Sequence, residues 1–329
     1  MPLPTDLENR TQTATAAVRL DEPPRGRESR PEHYFPDPGL VDAIRVALLL
    51  RKPLLLTGSP GTGKTELGSY LSWKLDPESR PLIFEAKSTS SAKDLFYTYN
   101  TLGRFHSIYT QQTEVQDVDF LTYSALGEAI VQASPLEDLE GVLPRGFEHR
   151  GPKQSLVLID EIDKAPRDFP NDVLNEVEKN YFRLVEFRNR QIKAKKGYEP
   201  VLVITSNSEK SLPAPFLRRC IYYHIPLPTE SDLQRVLRAK LVDNGAQNSP
   251  LINDAVAFLL ILQKEDSNLQ KPPATAELID WVTYLIAMRA DPGQRLSSIL
   301  SLAESGIGTL VKHNEDQQRA RDLLRAFAK

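Results

Sequence analysis

Short runs of consecutive apolar residues, each followed by a stretch with helical spacing, recur through the first two thirds of the chain. They are Pro53–Thr57, Pro81–Glu85, Ser155–Asp160, Val201–Ser206 and, more weakly, Ile221–Ile225. Runs that are apolar throughout, rather than at alternate positions, fit strands buried on both faces of a parallel sheet. Five such strands alternating with helices predict an open α/β sheet covered on both sides, with ligands at the carboxyl ends of its strands. Ahead of the first strand, the segment LVDAIRVALLLRK from Leu40 has helical apolar spacing and runs straight into it. Past Pro226-Leu227-Pro228 the strands stop. The remainder reads as helices over Ser231–Val242, Leu251–Gln263, Ala276–Ala290, Gln294–Val311 and Asp316–Ala328. This change of period sets a boundary between an α/β domain over 36–228 and a helical domain over 229–329. Residues 1–35, rich in Pro, Glu, Arg, Thr and Asp and poor in large apolar side chains, are expected to form a flexible or partner-ordered leader.

Composition narrows the field without selecting a function. The 329 residues are 40% hydrophobic and 26% charged, ordinary values for a globular protein. Lys and Arg number 41 against 44 Asp and Glu, so the formal net charge of −3 gives no whole-protein attraction to nucleic acid or to an anionic membrane. A single cysteine, Cys220, excludes an internal disulfide and a Cys-rich zinc site. The longest apolar stretch, around Ala255–Leu262, is too short to span a membrane, and the first residues lack a basic-then-apolar signal pattern. These features together point to the cytoplasm.

The first predicted strand leads directly into Gly58-Ser59-Pro60-Gly61-Thr62-Gly63-Lys64-Thr65, and Glu66 begins the helix that follows. Strand, glycine loop and helix in this order wrap the phosphates of a nucleotide. Gly58, Gly61 and Gly63 let the backbone turn several N–H groups toward one anionic point. Lys64 supplies a mobile charge for the β- and γ-phosphates, and the Thr65 hydroxyl is suited to Mg²⁺. A Gly-rich surface turn is the bland alternative, which the position after a buried strand disfavours.

Two further strands end in chemistry. In SLVLIDEIDK, Asp160 closes an apolar run where it can hold the Mg²⁺ hydration shell, and Glu161 is placed to polarise a water for attack on the γ-phosphate. Asp163 reads as a helix-start residue or a supporting contact. In VLVITSN, Asn207 lies where an amide can orient that water, although an Asn at a strand end is also a common turn former. Arg218 and Arg219 precede the fifth strand, at a distance from the phosphates that suits service to a neighbouring subunit. An arginine supplied in trans is worth about 10³–10⁵ in rate; a solvated pair or an intrachain ion pair is the alternative.

With these elements together, the chain from about residue 35 onward resembles AAA+ ATPases of the MoxR type, particularly the CoxD-like branch. The resemblance is carried by PLLLTGSPGTGKTELG, SLVLIDEIDKAPRDFPNDVLNEVE, ITSNSEKSLPAPFLRRC and KPPATAELIDW. It implies a P-loop NTPase core, a five-stranded parallel sheet with helices on both faces, followed by a C-terminal all-helical lid. Lys64 and Thr65 match the Walker A pair, Asp160 and Glu161 the Walker B pair, Asn207 sensor 1, and Arg219 the arginine finger with Arg218 beside it. ATP and Mg²⁺ are the implied cofactors. The implied assembly is a ring, usually a hexamer, with ATP at the subunit interfaces. MoxR relatives commonly work with a von Willebrand A-domain protein on a client complex. Many AAA+ lids carry a sensor 2 arginine, but here the segment reads Pro272-Pro273-Ala274-Thr275-Ala276-Glu277, and Lys271 is the nearest cation.

Two stretches look like insertions. Residues 86–127 are polar and aromatic, and their Phe96, Tyr97, Tyr99 and Phe105 read equally as a partner-facing loop or as local packing. Residues 183–196 alternate like a hairpin and hold Arg183, Arg188, Arg190, Lys193, Lys195 and Lys196 against the lone acid Glu186, which fits a solvated face or contact with an acidic partner. The leading expectation is an ATP-hydrolysing machine that remodels a protein client. The rivals are a nucleotide-gated scaffold with little turnover and a nucleic-acid translocase subunit of a restriction or defence system. A small-molecule kinase shares the glycine loop but would lack the tandem acids and the arginine pair.

Overall fold

The computed structural model describes residues 30–109, 116–207, 212–241 and 249–329. The expected leader falls, apart from its last residues, outside them, as does Val242 at the predicted end of the first lid helix. Contacts divide the chain into two compact units. Of the described residues, one unit holds those within Pro36–Ser59 and Gly63–Pro226; the other holds those within Leu227–Lys329, with Pro60–Thr62 and residues 30–35.

In the first unit, helix α1 (Pro38–Leu50) starts where the Asp37 carboxylate accepts from Leu40 N at 3.1 Å, with proline at its first position. It stops at Arg51, which takes a left-handed conformation. Leu40, Ile44 and Ala47 form its buried stripe. Strand β1 (Leu54–Thr57) is buried along its whole length, and α2 (Lys64–Leu75) follows the glycine loop. Next come β2 (Leu82–Glu85), β3 (Tyr97–Tyr99), α3 (Thr101–Tyr109), β4 (Leu121–Tyr123) and α4 (Ala125–Gln132). The unit continues through β5 (Leu156–Asp160), α5 (Phe169–Val177), β6 (Tyr181–Leu184), β7 (Arg190–Lys193), β8 (Val201–Ser206), the short α6 (Ala214–Leu217) and β9 (Ile221–His224).

The five predicted strands form one parallel sheet in the order β2-β5-β8-β1-β9. Register sets the geometry of the site. Leu56 pairs with Thr205, Thr57 with Ser206, and Ile159 with Ile204, so the strands that end in Thr57, Asp160 and Ser206 finish side by side. The uniformly apolar interiors of β1, β5 and β8 sit in the middle of the sheet, where both faces are covered.

Both insertions are packed structure over their described residues; positions 110–115 of the first lie outside those residues. Strands β3 and β4 form an antiparallel pair flanking α3, and β6 and β7 form the expected hairpin. Phe96 stacks on Phe182 of that hairpin at 5.3 Å, and Tyr97 and Tyr123 pack on the same ring. The Tyr97 hydroxyl donates to Glu186 at 2.8 Å and accepts from Val185 N at 3.1 Å, tying one insertion to the other. Tyr99 packs edge-on against Phe120 and Phe187. Of the four flagged aromatics, only Phe105 is exposed; it shares α3 with the exposed Leu102, Ile108 and Tyr109. In the basic stretch, Arg190 donates to the carbonyls of Asp138 and Glu140. Helix α4 comes so close to the insertion that a Cβ on Gly127 would lie 1.8 Å from Phe96 O.

The second unit contains α7 (Glu230–Leu241), α8 (Pro250–Leu262), α9 (Thr275–Ala287), α10 (Leu300–Ser305), α11 (Ile307–Leu310) and α12 (Asn314–Phe327) around a core centred on Phe258 and Trp281. The helix expected over Gln294–Val311 is broken into a 3₁₀ turn, α10 and α11. Gly306 separates the last two and lies against Tyr284, where a Cβ would meet the ring at 2.5 Å. Buried Asp254 holds Arg295 at 2.7 Å and Leu296 N at 3.1 Å, fixing the start of this broken segment. Among the described residues, no helix is long and apolar enough to cross a membrane.

Candidate active site

The glycine loop leaves β1 with Gly58, Gly61 and Gly63 all at positive φ, and Gly63 (φ 83°) is the residue immediately before α2. An L side chain at Gly61 (φ 77°) or Gly63 would be strained, which is why the loop needs glycine there. Glu66 lies in the first turn of the helix, and Lys64 and Thr65 open it. Lys64 is only 8% exposed. Its ammonium donates to Gly58 O at 2.7 Å and to Ser59 O at 2.9 Å, folding back onto the loop that it serves. Burial pushes the Lys64 ammonium below its ordinary pKa, against the opposing pull of Asp160, Asp163 and Glu161.

Opposite the loop, Thr65 Oγ1 donates to Asp160 Oδ2 at 2.9 Å. The two residues are 95 positions apart in the chain, and the sheet order brings them together. Both offer hard oxygen donors. Among the described residues, no group of three or more His, Cys, Asp or Glu side chains is arranged to hold a metal ion by itself. A hydroxyl beside one carboxylate fits Mg²⁺, which keeps most of its waters and takes the rest of its ligands from phosphate.

Glu161 is the residue immediately after β5, with φ 55° and ψ 49°, a left-handed conformation that breaks off the strand. Its backbone N–H donates to Thr205 Oγ1 at 2.9 Å, and the same hydroxyl donates to Asp160 Oδ1. Thr205 is fully buried and joins the two acids. Asn207 follows β8; its amide nitrogen lies 3.4 Å from Glu161 Oε1, and its backbone N–H donates to Asp163 Oδ1 at 3.1 Å. Asp163 thus supports the end of the β8 strand. Lys164 Nζ donates to Glu161 Oε2, and that contact raises the pKa of the Lys164 ammonium.

The structure therefore groups Lys64, Thr65, Asp160, Glu161 and Asn207 at the carboxyl ends of the central strands. Arg218 and Arg219 are elsewhere. They follow α6 at the amino end of β9 and line a cavity of about 840 Å³ that includes the starts of β1, β5 and β8. Arg219 Nε lies 3.6 Å from Glu178 Oε1. Within this chain, neither arginine is grouped with the glycine loop. In the second unit, Lys271 is held by its backbone N–H to Asp316 Oδ2 at 3.1 Å, and Asp316 also accepts from Gln270 N.

Thr205 and Lys164 are the residues that sequence reasoning missed. A hydroxyl one register position beyond the Ile159–Ile204 pair, where the strand is apolar from Val201 to Ile204, is the signal that would have found Thr205. For Lys164 the signal was its i,i+3 spacing from Glu161.

Strand order, glycine loop and paired acids at adjoining strand ends define a nucleotide-binding α/β ATPase core. Residues 53–220, just over half of the chain, match the AAA domain (dynein-related subfamily), and the chain belongs to that family. Among curated proteins it is 27% identical over 197 residues to the Lon protease of Mycoplasmopsis agalactiae. The aligned region is 58% of this chain but only 16% of that protein's length.

Proposed function

We propose that the chain is an ATP-hydrolysing AAA+ protein of the MoxR-like branch, acting in a ring to remodel or assemble a protein client. The observation that carries this reading is the convergence of Thr65 with Asp160 at 2.9 Å and of Asn207 with Glu161 at 3.4 Å around one glycine loop. Lys64 moves off the carbonyls of Gly58 and Ser59 to meet the β- and γ-phosphates. Glu161, oriented by Asn207, accepts a proton from a water as that water's oxygen bonds to the γ-phosphorus. The bond from phosphorus to the bridging oxygen breaks, ADP leaves with the electron pair, and the proton passes from Glu161 to the products. Mg²⁺, held through Thr65 and through water by Asp160, would supply neutralisation of phosphate charge. Arg219, with Arg218 beside it, serves the site of the adjoining subunit; the placement of both at the far end of the sheet supports this. Turnover moves the helical unit and the two insertions against the client, and the exposed face of α3 is suited to such contact. A von Willebrand A-domain partner, a hexameric ring, a cytoplasmic location and Lys271 in the place of sensor 2 belong to the same reading.

Steady-state phosphate release from wild type, Lys64→Ala and Glu161→Gln tests it, together with light scattering of the Glu161→Gln variant in ATP. Turnover in the wild type alone, with an assembled Glu161→Gln species in ATP, is the expected result. ATP binding with no turnover in any variant favours the nucleotide-gated scaffold. A wild type that hydrolyses only when nucleic acid is added favours the translocase. A Glu161→Gln variant that stays monomeric with bound ATP removes the ring.

A further inference from the structure

The amino ends of the sheet strands, opposite the ends that carry the glycine loop and the paired acids, frame the cavity of about 840 Å³ beside Arg218 and Arg219. Its wall is mostly apolar. Leu54, Leu156 and Leu202 contribute from the starts of β1, β5 and β8, and Ile44, Leu71 and Leu174 from α1, α2 and α5. All six side chains are buried, yet the space beside them is far larger than a packing void. At the mouth, Leu48, Leu50 and Leu75 are 44%, 55% and 39% exposed, at the ends of α1 and α2. Water against that much apolar surface is unfavourable, and a concave apolar site of about 300–1,000 Å³ is the size that small molecules fill.

The charges around this cavity do not balance. Both of its acids are engaged. Glu199 takes Arg51 at 3.1 Å on one oxygen and the Gly197 N–H at 2.8 Å on the other, and Glu178 Oε1 lies 3.6 Å from Arg219. Three further cations line the same space: Lys52, Lys74 and Arg218. Lys74 lies over the Trp73 ring at 4.5 Å, whereas no described carboxylate forms an ion pair with Lys52 or Arg218. Register sets these two near each other. Leu54 of β1 pairs with Ile221 of β9, so Lys52 and Arg219 each stand two residues ahead of paired positions, and Arg218 is the next residue back. Lys52 is also close enough to Cys220 for its charge to act on the thiol.

An apolar wall beside two uncommitted cations suits one molecule with both characters. A wholly apolar ligand would leave the cations without a partner, and a small anion would leave the leucines wet. A carboxylate head matches the planar fork of Arg218 and accepts from an ammonium as well. We infer that this cavity is a binding site for an acyl carboxylate, with the chain against Leu54, Leu71 and Leu156 and the head on Lys52 and Arg218. Binding there requires neither nucleotide nor a neighbouring subunit, so its failure would leave the hydrolysis reading intact.

Isothermal titration calorimetry of the full chain at two temperatures, without nucleotide and with decanoate below its micelle-forming concentration, tests the site. Decanol and acetate, each lacking one half of the ligand, are the controls. One decanoate per chain is expected, with the negative heat-capacity change of apolar burial. Decanol should bind about tenfold more weakly or worse, the size of a lost charge-assisted hydrogen bond, and acetate should not saturate the site. Lys52→Gln with Arg218→Gln is expected to weaken decanoate by about tenfold or more and to leave decanol unchanged, a selective loss that damage to the fold would not produce. Leu48→Glu, at an exposed position, sets a carboxylate in the mouth and weakens decanoate similarly. Should either variant not fold, the other and the three-ligand comparison on wild type carry the test. The inference is overturned if decanoate does not bind at either temperature, binds in many copies per chain, is matched by decanol, or binds the folded variants as tightly as wild type. Decanoate that is expelled as the protein self-associates would give the cavity to a second copy and overturn it as well.

Discussion

Replacing Thr205 by valine removes one oxygen from a buried strand and keeps its shape. The hydroxyl is the shared partner of the Glu161 N–H and of Asp160 Oδ1, and the residue is completely buried. Valine suits a central strand, so packing changes little and the loss is polar. Leaving the Glu161 N–H without an acceptor costs about 1–3 kcal/mol. Asp160 is half-exposed, and water can take over part of its lost bond, adding about 1 kcal/mol. The sum of about 2–4 kcal/mol corresponds to a fall of about 4–16 °C in the melting of a unit of this size. A second effect follows from Glu161's left-handed backbone, a conformation costing a non-glycine residue about 1–2 kcal/mol that its N–H bond helps to hold. With that bond gone the turn relaxes, the carboxylate leaves its place beside Asn207, and turnover falls by about tenfold or more, equivalent to about 1.4 kcal/mol. Differential scanning calorimetry reads the first effect and phosphate release the second, with Thr205→Ser as the control that retains the hydroxyl. A Thr205→Val protein that melts within about 1 °C of wild type at an unchanged rate would refute the reasoning.

Two further outcomes bear on the core. Gly127→Ala places a Cβ 1.8 Å from a backbone oxygen that cannot rotate away, so α4 or the Phe96 segment must shift; a loss of about 3 kcal/mol is expected, and an unchanged urea midpoint would contradict it. Burial raises the Cys220 thiol to about 12, from an ordinary value of 9.0. The folded state therefore holds this proton more tightly than the unfolded chain, and the associated stability is complete below pH 9 and lost as pH rises from 9 toward 12. Tyr97 and Tyr223, raised to about 12 from 10.0 mainly by burial, act with the same sign but begin a unit later. Melting curves at closely spaced pH should show the wild type losing stability relative to Cys220→Ala between pH 9 and 10, every other group being common to both; a difference between the two that does not change with pH would show that the thiol contributes nothing.

The sheet strands were legible because their residues meet local and nonlocal demands at once. Leu54–Leu56, Val157–Ile159 and Val203–Ile204 are apolar on both faces, and only a central parallel strand buries both. The glycine loop was legible because its backbone conformations exclude most other residues, so Gly61 and Gly63 write the turn into the composition. For the same reason the acids at the end of β5 stood out as the point where an apolar run emerges. The Gln294–Val311 segment misled because its apolar spacing is continuous, whereas the close approach of Gly306 to Tyr284 is a contact between distant positions.

From one dimension, then, came the strands, the phosphate loop, the tandem acids and the switch to helices at Pro226–Pro228, each governed by periodicity or by backbone sterics that act over a few residues. The sheet order β2-β5-β8-β1-β9 came only from folding, and with it the meeting of Thr65 with Asp160 and the bridge from Thr205 to Glu161. Those contacts join residues 95 and 44 positions apart. No local preference encodes them, because they arise when strands remote in the chain are laid side by side and a buried hydroxyl must find its partners there.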